Sequence, residues 1–166
     1  MGMARLLDPS LFKLVTKESA VQILTEDFPR HQWPVSGGWG YDETNPVKIE
    51  VDSESDGIAM EHKFAKYRTY EELIIFRPEN DSAAGIRLNL IKQSLINAGG
   101  IPLDVLEYEI TAWPEKIWDQ LKKEYEDNGG FADNPEGLKA HMEKNDKYKF
   151  SYVTKVYFDI SRFFKD

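Results

Sequence analysis

Ser36 and His31 are the first residues whose types could do chemistry, a hydroxyl nucleophile and an imidazole base close in sequence. Ser36 stands in Val35-Ser36-Gly37-Gly38, however, and not in the Gly-x-Ser-x-Gly of a nucleophile elbow. The same glycines lack the Lys-Ser/Thr ending of a phosphate-binding loop. A second chemistry would need two carboxylates to converge as the acid and base of a glycosidase. Glu50, Glu61, Glu107 and Glu109 are expected on the polar faces of strands, but among 29 acidic residues some proximity arises by chance. A hydrolase using Ser36 or paired carboxylates with His31 is therefore the third-ranked reading, and no catalytic residue is assigned.

Metal chemistry has little to stand on. Asp52-Ser53-Glu54-Ser55-Asp56-Gly57 begins like a calcium loop, but its twelfth position is Lys63 where a bidentate glutamate should close the shell. The expectation is a solvated acidic hairpin turn. His31, His62 and His141 show no ligand spacing, and His62 is expected to be a partly buried core histidine beside Met60 and Phe64. The chain has no cysteine, which excludes disulfides, thiolate nucleophiles and cysteine-ligated metals and fits a reducing cytoplasm. No metal or cofactor is assigned.

Recognition is better served. Trp33-Pro34-Val35-Ser36-Gly37-Gly38-Trp39-Gly40-Tyr41 crowds three aromatic residues around three glycines. Trp33 and Trp39 could fold inward as a small core beneath a tight turn. Alternatively Trp39, Tyr41 and Asp42 stand exposed, stacking on a sugar or base or anchoring a protein interface. The binding candidates are Trp33, Ser36, Gly38, Trp39, Tyr41 and Asp42.

The formal charge of −8 is uneven: residues 139–166 carry +3 and residues 1–138 carry −11. An acidic bulk repels nucleic acid and favours a basic protein. Lys149, Lys155 and Tyr157 form a basic stripe that could grip phosphate, but a solvated sheet face is the simpler expectation. No stretch approaches the ~20 apolar residues of a membrane span.

The elements follow from periodicity. Thr16 is expected to cap a helix ending near Phe28 before Pro29. Val47–Val51 alternates as a strand, and Ile58, Met60 and Phe64 continue the alternation beyond a turn at Asp56-Gly57. That hairpin would place Lys48 opposite Glu61. Leu73–Phe76 reads as a buried strand. From a cap at Asn80, Asp81 or Ser82, a helix with Ala84, Leu88, Ile91 and Leu95 inward is expected to reach Ala98, although Ile86–Leu90 also alternates. Leu106–Ile110 reads as a strand, Pro114 starts a helix through Tyr125, and a short helix falls near Gly137–Lys144. Tyr148–Phe158 is a long final strand, taken as the longest and as central.

These elements mix without regular βαβ alternation. The expectation is one α+β domain over residues 1–166, a two-layer sandwich with a mostly antiparallel sheet of about five strands and three to four helices. Residues 1–15 are expected to be loosely ordered. The function expected is non-enzymatic recognition by an acidic, immunity-type or neutralising partner of a basic protein. The alternative is small-ligand or carbohydrate binding at the Trp33–Tyr41 loop. A homodimer through a sheet edge is a further expectation.

Overall fold

In chain order the strands are β1 (Arg5–Leu6), β2 (Val35–Gly37), β3 (Val47–Ile49), β4 (Ala83–Ala98), β5 (Ile101–Pro114) and β6 (Phe150–Asp159); the helices are α1 (Ala20–Asp27), α2 (Glu54–Tyr70), α3 (Glu115–Asp127) and α4 (Pro135–Tyr148). The structure is a computed structural model describing residues 5–165. It is an α+β fold whose six strands form one mostly antiparallel sheet in the order β2-β3-β6-β5-β4, with β1 also paired to β6.

β6 is central, though β4 and β5 are longer. Its inward residues Phe150, Tyr152, Val156 and Phe158 alternate with outward ones, as the sequence pattern requires. β5 runs antiparallel along one side of it, from Leu103 opposite Asp159 to Ala112 opposite Phe150. On the other side two short strands share its length, β1 beside Phe150 and Ser151 and β3 beside Phe158 and Asp159, both parallel to it.

Helices α1 and α2 pack on the inward face. Their Ile23, Leu24, Phe64 and Ala65 join Val47, Ile49, Leu106, Ile110, Tyr152 and Phe158 in one core. Trp113 points to the opposite face by strand alternation. There it stacks near Trp118 of α3 and donates its indole N–H to the Asn145 carbonyl of α4 at 2.8 Å.

Several expectations are corrected. Glu54–Tyr70 is helix α2, not a turn and the second arm of a hairpin, so Lys48 does not face Glu61. Ser53 caps it by accepting from the Asp56 N–H, and the would-be calcium loop is its first turn. Gly57 is there for close packing, since a Cβ would collide with the Phe163 ring. His62 consequently lies exposed on the helix and outside the core. Leu73–Phe76 belongs to a π-helical turn, Glu71–Ile75, that extends α2, and only Leu73 of the four is buried.

The helix expected from residues 80–98 is instead the edge strand β4. Register shifts around Gly85-Ile86 and Ile91 break its period of two, so its apolar residues fall at spacings that mimic a helix. The first helix starts at Ala20 under a Ser19 cap, later than expected from Thr16. Residues 1–4 lie outside the described residues; from Arg5 the N-terminal segment is held in place. Arg5 and Leu7 N–H groups donate to Lys149 and Ser151, and Phe12 stacks on Tyr152 at 4.3 Å. Among the described residues no helix is long and apolar enough to cross a membrane.

Candidate functional site

Buried ionisable groups lie in three places along α2 and its π-helical extension: around Arg68 and Glu72, around Glu61, and at Glu71, which faces Asp27 and keeps both oxygens without a partner. The first centres on Arg68 and Glu72, one helical turn apart and both removed from solvent. Between its contacts with β1 and β3, β6 has no strand neighbour on that side, and Arg68 occupies the gap. Its guanidinium donates to the Lys155 carbonyl at 3.1 Å, the Thr154 hydroxyl at 3.0 Å and the Trp39 carbonyl at 3.1 Å. Tyr41 donates its hydroxyl to Glu72 at 2.6 Å and lays its ring 4.2 Å from the guanidinium carbon, while Tyr152 donates to Glu72 at 3.0 Å. Burial raises the Glu72 pKa, and the Arg68 charge and the two hydroxyls oppose that rise. Both oxygens of this carboxyl are engaged, and Arg68 Nε is the buried atom of the network left without a hydrogen-bond partner.

The second constellation lies three turns earlier. Glu61 is 1% exposed, because the inward face of α2 presses it onto β5. There it meets Asp104, which shares the inward side of β5 with Leu106, Tyr108 and Ile110. Both carboxyls are buried at the same cavity and no cation pairs with Glu61 among the described residues, so the two hold one proton between them. Burial first, and the neighbouring Asp104 second, push Glu61 up to about 10, so it holds that proton at neutral pH. Gln93 of β4 donates its amide to both Asp104 oxygens, at 3.1 and 2.9 Å. Glu61 Oε2 is buried with no hydrogen-bond partner.

This pair opens on a cavity of about 480 Å³ between α2, the β4–β5 hairpin and the C-terminal segment. The cavity exists because α2 covers β5 and β6 and leaves the inward side of β4 bare; Leu95 is 58% exposed. Its walls are Ile58, Leu95, Ile160, Phe163 and Phe164, and its rim carries Asp52, Glu54 and Lys165. Asp52 is bound by Arg162 at 2.7 Å. Next along α2, His62 Nδ1 lies 2.7 Å from the Tyr108 hydroxyl. The tyrosine's pKa is raised by burial and then by Glu61 and Asp104.

The glycine-aromatic segment is folded largely into the core. Trp33 is 8% and Trp39 is 6% exposed, so both indoles belong to the core. Of the two arrangements the sequence allowed, the inward one is present. Tyr41 is committed to Glu72, Ser36 donates to Glu50 at 2.7 Å, and Asp42 is exposed in a turn with Thr44. Gly38 is partly covered, with a Cβ position already filled by Asn45. His31 lies 3.0 Å from the Tyr67 hydroxyl, so its partner is that phenol and the hydrogen bond of Ser36 goes to Glu50.

Of the four glutamates considered as an acid–base pair, only Glu61 meets another carboxyl, and that one is Asp104. Glu107 stands opposite Lys155 in register, which places an acid beside the basic stripe. Among the described residues no group of three or more His, Cys, Asp or Glu could hold a metal.

Asp104 was missed, although a signal existed. In Asp104, Leu106, Tyr108 and Ile110 it is the one acid on an otherwise apolar alternating face. Comparison with known proteins finds no matching family model, curated protein or solved structure.

Proposed function

We propose that this protein is an acidic recognition module for a basic protein, and that it takes a cationic side chain of that partner into the cavity beneath α2. The observation that carries this reading is the Glu61–Asp104 pair, with an unpartnered buried oxygen, at the floor of an apolar-walled cavity. Lysine and arginine are cations on apolar stems. Such a stem fits walls of Ile58, Leu95 and Phe163, and the head fits a floor of carboxyls. The net charge of −8 would speed encounter with a basic partner, and the filled socket would slow its release. A cytoplasmic setting fits the cysteine-free chain.

The test is copurification from native cells with wild type and Asp104→Asn as parallel baits, followed by titration of the purified partner. A stoichiometric basic protein that binds wild type at least tenfold more tightly than the folded variant is the expected result. An acidic partner, equal binding to both baits, or no partner at all would overturn the reading. The volume also suits a small cationic molecule, since ligand cavities run from roughly 300 to 1,000 Å³.

A further inference from the structure

We infer that the cavity exchanges a proton for its cation: a guanidinium or ammonium entering between Glu61 and Asp104 expels the proton these two carboxyls share. The inference rests on the cation-socket reading above and adds the chemistry by which the socket opens. A carboxyl buried beside a second carboxyl, with no cation at hand, is neutralised by a proton. That proton leaves the pair with one negative charge, and the Gln93 amide donates to both oxygens of Asp104. Glu61 Oε2 has no donor at all. A guanidinium brings several N–H donors and a positive charge to this floor. That charge opposes the burial and the Asp104 charge that favour the neutral form of Glu61. Its O–H bond breaks, the proton leaves to solvent, and the site passes from one negative charge to two as the cation arrives.

Groups facing the pair come from every side. β5 contributes Asp104 and Tyr108, and β4 contributes only the uncharged Gln93 and Leu95. Asp52 and Glu54 come from the start of α2, and Lys165 comes from the C-terminal segment. Arg68, further along α2, reaches the cluster through Tyr108, whose ionisation its charge favours. The cations near the rim are exposed: Lys165 lines it and Arg162 is bound to Asp52. Among the described residues no buried cation at the floor does the work assigned to the ligand, unlike Arg68 beside Glu72.

The consequence is selectivity. Because the proton must be displaced, a weakly interacting cation such as sodium does not open the pair. A planar donor array on an apolar stem does.

The experiment is isothermal titration of the full chain with n-butylguanidinium and, separately, with a blocked tetrapeptide carrying one arginine. Each runs in phosphate and in Tris, whose ionisation heats differ. About one proton released per cation bound is expected, together with affinity that rises about tenfold per pH unit between roughly pH 6 and 9. Glu61→Gln is expected to abolish both the proton release and the pH dependence, and Asp104→Asn to weaken binding at least tenfold. Tighter binding of the peptide than of butylguanidinium assigns the socket to a protein side chain, and the reverse assigns it to a small molecule. Binding with equal heats in both buffers and no pH dependence overturns the exchange and leaves the socket standing. If neither probe binds at any pH, or Asp104→Asn binds as wild type does, the socket itself is overturned and the exchange with it.

Discussion

Glu72 and Glu61 are carried by one continuous helical run and removed from water to the same degree, yet they are treated oppositely. Glu72 receives two tyrosine hydroxyls and stands 3.8 Å from a guanidinium. Glu61 receives a second carboxyl and keeps an oxygen without a partner. A buried charge left unpaired is costly enough that folding neutralises it by one of two routes, a counter-ion or a proton. The counter-ion route locks three segments together, because the same Arg68 also holds Trp39 and β6. The proton route leaves a group that a cation from outside can still replace. The first is architecture; the second opens on a cavity.

The largest effect should come from removing the cation of the compensated site. Arg68→Leu leaves Glu72 buried without its counter-ion and strips the Lys155 and Trp39 carbonyls of their donor. A loss of about 3–5 kcal/mol is expected, read from urea unfolding. A loss under about 1 kcal/mol would mean that Glu72 is not charged and that the contrast with Glu61 is false. Slightly smaller is the effect of Trp39→Ala, which removes a core indole whose own carbonyl is held by Arg68. It should cost about 3–4 kcal/mol and leave binding of a cation under α2 unchanged. If stability held within about 0.5 kcal/mol while binding fell, the glycine-aromatic segment would be the recognition surface.

Which parts of this molecule could be read in advance follows from the same contrast. β6, β3 and α3 were legible because their inward positions are apolar and their periods undisturbed. Phe150, Tyr152, Val156 and Phe158 leave no choice but a strand. Helix α2 was not legible, because its inward stripe runs Gly57, Glu61, Phe64, Ala65, Arg68, Thr69 and Glu71, and most of these are not apolar. The charges that make α2 interesting erased the pattern by which it would have been found, and Ile58 with Met60 then read as a strand. β4 failed for a different reason. As an edge strand it is apolar on both faces and twice shifted in register, so no period of two survives. The site combines one residue from each illegible element, Glu61 and Gln93, with Asp104 of β5, a strand that the sequence pattern marked only from Leu106. Local conflicts between sequence and structure are expected to gather at sites of this kind.

The smallest step concerns the proton itself. A carboxyl raised from 4.5 to about 10 binds its proton in the folded state and not in the unfolded one across that interval. The stability that this group contributes should therefore be fully present at or below pH 4.5 and be lost as pH rises towards 10, by about 1.4 kcal/mol per pH unit at most, while the lowered carboxyls of Glu50 and Glu124 contribute the opposite slope at low pH. Glu71, pushed up to about 9 by burial and then by Asp27, adds a decline of the same sign. Glu61→Gln keeps a neutral donor beside Asp104 and removes only the titration. Near pH 5 it should match wild type within about 1 kcal/mol. Above that pH it should become progressively the more stable protein, with the residual slope left by Glu71. Urea midpoints of the two proteins at a series of pH values give the comparison directly. Parallel curves would mean that Glu61 is already ionised in the empty site and has no proton to exchange. Diverging curves, with Glu72→Gln destabilised at every pH, would establish that one helical run neutralises Glu61 and Glu72 by different means.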